Sequence, residues 1–141
     1  MERMSVEEDA YNSLCAYTLA HGDATFIHQH VVDAFAAQHA DARSKAIKVT
    51  FALVGLYLLI EKHFSGRQVQ LMHMRLAQRK HRWPTFALPA GRGTLTAVDV
   101  MAAREGPERD DAIMAWCASV WAAYVGSREV VASLLREHGI T

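Results

Sequence analysis

The sequence predicts an all-α protein: an up-and-down bundle of five to six helices that forms a single domain over residues 1–141. Three observations predict this class. Apolar residues recur at helical spacing, and glycines or capping residues separate the segments at short intervals. The composition, 51% hydrophobic and 21% charged, is typical of a globular chain. At this length roughly 70% of the unfolded surface can be buried, so folding requires neither a metal nor a disulfide.

The first two helices are predicted from their end signals. A capping-box pattern at Ser5 begins the first, and Gly22 should end it. Either Asp23 or Thr25 is expected to cap the second. Gln38 shares the apolar face of that second helix, so we expect a buried amide that needs hydrogen-bond partners.

The third helix should be the central one, because residues 44–63 are apolar almost all round through their middle. Ser65 and Gln68 have the spacing of another capping box. They predict a fourth helix that frays near Arg82.

The remaining third of the chain begins with a break in helical periodicity. Two prolines and two glycines fall within residues 83–97, which predicts an irregular but ordered loop. Thr96 and Asp99 should cap a short helix, Pro107 should open a longer one, and Ser127 should cap the last.

Composition also predicts the compartment. The N-terminal segment is acidic and lacks the apolar stretch of a secretory signal. The longest apolar run, residues 51–60, is about half of what a membrane-spanning helix requires. Cys15 and Cys117 are far apart and form no CxxC pair, which favours buried thiols over a disulfide framework. We therefore expect a cytoplasmic protein with no membrane partner, whose oligomeric state the sequence leaves open.

Eight histidines are many for this length, and their placement predicts a candidate site. In an alternating bundle the ends of helices one and three meet the starts of helices two and four. This predicts a transition-metal or acid–base site, with Zn or Fe as the metal, formed by His28, Glu61 and His73 with Cys15 and His21 as further ligands. Glu61 is the expected partner of an inward-pointing His73. A purely structural hydrogen-bond network is the alternative, since Glu-x-x-His and HExxH motifs are absent.

His30 and Asp33 form a secondary polar pair, three residues apart on the second helix. The pair projects away from the centre of the apolar stripe, so a solvated pair is expected, with a ligand or acid–base pair as the alternative. Neither a GxSxG elbow nor a GxxxxGK[ST] phosphate loop is present. Whether the protein is an enzyme therefore stays open.

Charge is distributed unevenly along the chain. The 15 basic and 15 acidic residues cancel, yet residues 62–98 contain several basic residues and no acidic one. This basic block predicts either internal complementarity with the acidic flanks or a non-enzymatic interaction module that docks an acidic protein or an anionic small ligand. The candidate contacts are Arg67, Arg79, Lys80, Arg82 and Trp83. Nucleic-acid binding is disfavoured, because the charge at the end of the fourth helix also relieves the helix dipole.

Three segments resemble a known family: YNSLCAYTLAHGDATFIHQHVVDAFAAQHAD, FALVGLYLLIEKHFSGRQVQLMHMRLAQ and AWCASVWAAY. They are similar to those of small bacterial proteins known only as a domain of unknown function. The resemblance spans most of the chain and implies a small, soluble, helical protein. It directs attention to the segment that contains His28, Gln29, Asp33 and Gln38, and to the segment from Glu61 to His73, but implies no roles for them.

Overall fold

The computed structural model describes residues 2–79 and 82–140, and this part of the chain is all-helical, as predicted. It contains seven α-helices rather than five to six. The helices are α1 (Glu2–Ala20), α2 (His28–Gln38), α3 (Ala46–Lys62), α4 (Gly66–Ala77), α5 (Ala97–Ala102), α6 (Pro107–Ala123) and α7 (Arg128–Glu137), with a 3₁₀ turn at Val125–Ser127 before α7.

Helix α3 is the centre of the bundle, which confirms the interpretation of its apolar sequence. Every residue from Ala52 to Leu59 is buried. The helix packs against α2, α4, α6 and α7. An apolar surface on all sides suits this position, because each side of the helix removes apolar area from water.

Most predicted helix ends are confirmed. Gln68 N donates to Ser65 Oγ, and Ser65 N donates to Gln68 Oε1, so the capping box of α4 is complete. A second capping box begins α5 at Thr96. Gly22 follows α1 with a φ of 56°, a conformation that favours glycine. Pro107 begins α6.

Four predicted ends differ from the structure. Helix α1 begins at Glu2 and runs through Ser5, so the predicted capping box at Ser5 does not begin it. The Asp23 carboxylate accepts from the backbone N–H groups of Thr25 and Ile27, so it closes the turn before α2 and does not cap the helix. Ser127 makes no capping hydrogen bond within the described residues. Helix α4 ends at Ala77, short of the predicted Arg82.

The irregular segment at residues 82–96 is held in place by hydrogen bonds, mainly to Gln38. The Gln38 amide donates from Nε2 to Arg92 O and Leu95 O, at 3.2 and 2.7 Å, while its Oε1 accepts from Trp116 Nε1 at 2.9 Å. The Arg92 guanidinium donates in return to the backbone carbonyl of Gln38. The expectation that Gln38 needs partners is therefore confirmed, although its side chain is half-buried rather than buried.

None of the helices in the described part of the chain is long and apolar enough to cross a membrane.

Candidate functional site

Two polar side chains of α2, His30 and Asp33, lie inside the bundle. They are 4% and 3% exposed, so the prediction of a solvated pair was wrong. The reason is the number of neighbours: α2 packs against α1, α3, α4 and α6, which leaves it a narrow solvent-facing side. The spacing of apolar residues along a helix shows which of its sides is most apolar. It does not show how many neighbouring helices cover the other sides.

Asp33 is accommodated by a glycine on the facing helix. A Cβ atom at Gly55 would lie 1.8 Å from Asp33 Oδ2. Asp33 Oδ1 accepts from Gln29 Nε2 at 3.2 Å, whereas buried Oδ2 has no partner within the described residues. Burial raises the pKa of Asp33 well above its ordinary value, and the Gln29 hydrogen bond only partly opposes this. The neutral carboxylic acid is thus strongly favoured over the carboxylate.

The groups near Asp33 are also held in their neutral forms. Burial raises the pKa of the Cys117 thiol, whose Sγ donates to the backbone oxygen of His30 at 3.6 Å. Burial likewise raises the pKa values of Tyr11 and Cys15. A thiol is nucleophilic as the thiolate, so neither cysteine is activated for covalent chemistry. Their arrangement favours a structural role.

His30 lines a pocket of about 320 Å³ between the start of α2, the end of α3 and the start of α4. The buried Nδ1 of His30 has no hydrogen-bond partner in the part of the chain that the structure describes. Burial lowers the pKa of His30 to about 4, so the imidazole is neutral at pH 7. The other lining residues are Thr25, Ile27, Leu59, His63, Phe64, Ser65, Gln68 and Met114.

Close backbone contact shapes this pocket. Arg67 N donates to Thr25 O at 2.8 Å, which joins the start of α4 to the turn before α2. A Cβ atom at Gly66 would lie 1.8 Å from Phe26 O, so only glycine permits this approach. Phe26 and His63 both have left-handed φ angles, 57° and 59°. The walls of the pocket therefore belong to tightly joined chain segments.

Two of the predicted ligands lie in the first helix hairpin, each with its own partner. His28 Nδ1 is hydrogen-bonded to Thr18 Oγ1 at 2.9 Å. His21 Nδ1 lies 2.9 Å from Tyr17 O, and its ring packs against the Tyr17 ring. His28 thus links the start of α2 to α1, whereas His21 bonds back to the last turn of α1.

Glu61 is not the partner of His73, contrary to prediction. Glu61 accepts from Arg128 Nε at 2.6 Å and from Trp121 Nε1 at 2.9 Å. His73 Nε2 donates to Phe51 O at 2.8 Å. Phe51 is ten residues before Glu61, about 15 Å along the helix axis. Antiparallel pairing of α3 and α4 places His73 beside the middle of α3, while Glu61 faces α6 and α7.

No group of three or more His, Cys, Asp or Glu side chains that could hold a metal ion occurs among the described residues. The structure therefore does not assemble the predicted set of His28, Glu61 and His73 with Cys15 and His21. Two imidazoles, His30 and His63, do line one pocket. That pair was not predicted, because His30 was expected in solvent with Asp33.

The basic block lies largely on the surface. Arg67, Arg79 and Arg82 are exposed, and Trp83 is partly buried with its ring edge against Phe51. Lys80 lies outside the described residues. Among residues 62–79 and 82–98, no basic side chain forms an ion pair with a carboxylate. Direct ion pairing with the acidic flanks is therefore absent from this part of the structure.

A family model described as a family of unknown function, DUF5946, matches residues 8–125. The chain belongs to this family. The region that matches DUF5946 contains every residue that lines the His30 pocket. No curated protein and no solved structure matches the chain. Membership of DUF5946 thus confirms the resemblance and adds no activity.

Two signals in the sequence point to this site in retrospect. Gly55 is the only glycine in the apolar run of residues 51–60. An isolated glycine in a helix often marks close packing. The capping box at Ser65 places a hydroxyl and an amide at one helix start. Neither signal predicts that His30 lies opposite the start of α4.

Proposed function

We propose that this protein binds a small organic molecule in the His30 pocket, with the His30 imidazole as the central polar contact. One observation carries the proposal: a buried imidazole whose Nδ1 lacks a partner among the described residues lines the pocket wall. An unsatisfied buried polar group costs about 1–3 kcal/mol. Because Nδ1 has almost no exposed surface, the His30 ring must turn before a bound molecule can hydrogen-bond to this nitrogen and remove part of that cost.

Binding is favoured over catalysis by the protonation state of His30. A general base works best when its pKa is near the operating pH. Burial places the pKa of His30 at about 4, so at pH 7 it is a neutral hydrogen-bonding group and a weak base. The thiols of Cys15 and Cys117 are similarly held in their unreactive forms.

The size and lining of the pocket suit a small ligand. Its volume of about 320 Å³ is near the lower end of the range of about 300–1,000 Å³ for ligand pockets. The wall combines imidazole, hydroxyl and amide groups with four apolar side chains, which are Ile27, Leu59, Phe64 and Met114. A compact molecule with one polar end and a short apolar part matches this surface.

The test is a titration followed by the NMR signals of ¹³C-labelled histidine rings and methionine methyl groups. The probes are butyramide, butyrate and butylamine, which share chain length and differ in their polar ends. We expect at least one to shift His30 and Met114 saturably, while the signal of His21 stays constant.

A matched pair of variants locates the binding. His30→Phe should abolish it, whereas His73→Phe, which replaces a half-buried imidazole outside the pocket, should leave it intact. If none of the three probes shifts His30 saturably, or if the two variants behave alike, the proposal is wrong.

A second function, as an interaction module, is favoured by the exposed side of α4. Leu71 and Met74 are 43% and 53% exposed there. Arg67 and Arg75 lie on the same helix, and their guanidinium groups contact neutral side chains, Gln70 and Met72, rather than carboxylates. Exposed apolar side chains beside unpaired cations suit an acidic amphipathic segment of another protein.

A synthetic helical peptide of glutamate and leucine tests this function by fluorescence anisotropy. Arg75→Glu should weaken binding, and the same charge reversal at exposed Arg104, in the turn after α5, is the control. Equal effects of the two reversals, or an affinity that does not fall with added salt, would contradict a specific docking site.

A further inference from the structure

We infer that the ligand of the His30 pocket is a small organic carboxylate, whose carboxylate group lies between His30 and the start of α4. This inference rests on the proposed function of the pocket and names its ligand class. The hydrogen-bond donors that the lining residues leave free, and the charges around the pocket, support it.

The capping box of α4 determines which polar atoms remain available. Ser65 Oγ already accepts from Gln68 N, and Gln68 Oε1 already accepts from Ser65 N. What remains is the hydroxyl hydrogen of Ser65 and the NH₂ group of Gln68, which are donors. Two of the lining residues therefore offer hydrogens to a ligand while their principal acceptors are occupied.

The imidazoles extend this donor-rich surface. An imidazole carries at least one N–H, and His30 and His63 both line the pocket. The Thr25 hydroxyl donates to Asp23 Oδ2 at 2.6 Å, so Thr25 is the exception that offers only lone pairs. A ligand rich in acceptors, such as a carboxylate, can pair with most of these groups, whereas an ammonium group cannot.

The electrostatic environment also favours an anion. No carboxylate lines the pocket among the residues that the structure describes. Burial lowers the pKa of His30, and the charge of the nearby Asp23 carboxylate only partly opposes this; that carboxylate accepts from Thr25 N and Ile27 N. The start of the 12-residue helix α4 carries the positive end of its dipole. Buried His30, whose Nδ1 has no hydrogen-bond partner within the described part of the chain, lines the same pocket as the start of this helix.

The apolar part of the pocket wall determines the chemistry of the ligand beyond its carboxylate group. Ile27, Leu59, Phe64 and Met114 form its apolar part. A bare inorganic anion would leave this surface without contacts, whereas a short hydrocarbon chain or a small ring would cover it. The chemistry thus indicates an organic acid rather than free phosphate or sulfate.

The experiment compares the affinities of butyrate, butyramide and butylamine, measured from the His30 ring signal at neutral pH. Butyrate should bind at least about tenfold more tightly than butylamine. Bound butyrate should also raise the pKa of His30, because a nearby negative charge stabilises the imidazolium. Inorganic phosphate should shift His30 less than butyrate does at equal concentration.

Gln68→Glu is the decisive variant. Glutamate at this position preserves the capping box and suits the helix start, so the fold should be retained. It replaces the free NH₂ donor by a negatively charged oxygen, and butyrate affinity should fall by at least about tenfold. Gln70→Glu places the same charge on the same helix outside the pocket and should change the affinity much less.

The set of outcomes distinguishes this inference from the proposed function. Tighter binding of butyrate than butylamine, with loss in Gln68→Glu alone, supports both. If butylamine or butyramide binds as tightly as butyrate, or if Gln68→Glu has no effect, the carboxylate inference is wrong while the pocket stands. Absence of binding by all probes overturns both.

Discussion

Gly55 is the position at which one added methyl group tests the buried Asp33 most directly. Gly55→Ala would place a Cβ atom 1.8 Å from Oδ2 and 2.6 Å from Cγ of Asp33. Both distances are far inside van der Waals contact. The carboxyl group must therefore move, or α2 and α3 must separate.

The size of the effect combines three contributions. Overpacking a core costs about 1–3 kcal/mol. Displacement of the carboxyl group also breaks its hydrogen bond to Gln29, about 1 kcal/mol. Alanine is favoured over glycine within a helix by about 1 kcal/mol, which offsets the second contribution. We expect Gly55→Ala to lower the free energy of unfolding by about 1–3 kcal/mol.

The sign should reverse when the carboxyl group is removed. In an Asp33→Ala background the nearest remaining atom of residue 33 is its Cβ, at 3.3 Å, a contact that a small shift relieves. Gly55→Ala should then stabilise the protein by up to about 1 kcal/mol through helix propensity. The coupling between the two sites is therefore about 1–4 kcal/mol.

Urea unfolding followed by far-UV circular dichroism measures all four proteins of this cycle. Gly126→Ala is the control, since nothing lies within 4 Å of a Cβ atom at that position, and its effect should stay within about 0.5 kcal/mol. If Gly55→Ala costs the same with and without the Asp33 carboxyl group, the close packing described above is not what the substitution disturbs.

Three further predictions concern buried polar groups. Gln38→Leu leaves Trp116 Nε1 and two loop carbonyls without their partner. It should destabilise the fold by about 2–3 kcal/mol and speed limited proteolysis within residues 82–96, and unchanged cleavage would contradict this. His30 and His73 have folded-state pKa values of about 4, below the ordinary 6.5. The unfolded chain therefore binds more protons in that interval, and their contribution to stability should be complete above pH 6.5 and lost as pH falls toward 4; His73→Phe should flatten that slope in unfolding measurements. Burial raises the pKa of Asp33 in the folded state. The contribution of Asp33 to stability is therefore complete below pH 3.8 and is lost as pH rises through the folded-state pKa. Asp33→Asn should therefore be more stabilising in neutral solution than near pH 4, and the reverse order in a urea series would contradict this.

The features predicted correctly are those that depend on neighbours in the chain. The capping boxes at Ser65 and Thr96 join residues three apart. The burial of α3 follows from its own apolar sequence, and the irregular segment follows from its prolines and glycines. Gln38 was correctly expected to need partners, although the sequence could not name Trp116 or the loop carbonyls that supply them.

The features predicted wrongly depend on how helices pair. Glu61 was expected to be the partner of His73 because it closes the apolar third helix, yet antiparallel pairing puts His73 beside Phe51. His30 and Asp33 were expected in solvent because the pattern of α2 alone does not show that four helices cover it.

The sequence by itself determined the helical class, the central helix and most helix ends, because hydrophobic periodicity and capping act over a few residues. Only the tertiary structure decided where the site lies. His30 meets Ser65 and Gln68 because Gly66 lets α4 approach the turn before α2. Such contacts join residues more than thirty positions apart, and their geometry arises from the packing of whole helices rather than from any local pattern.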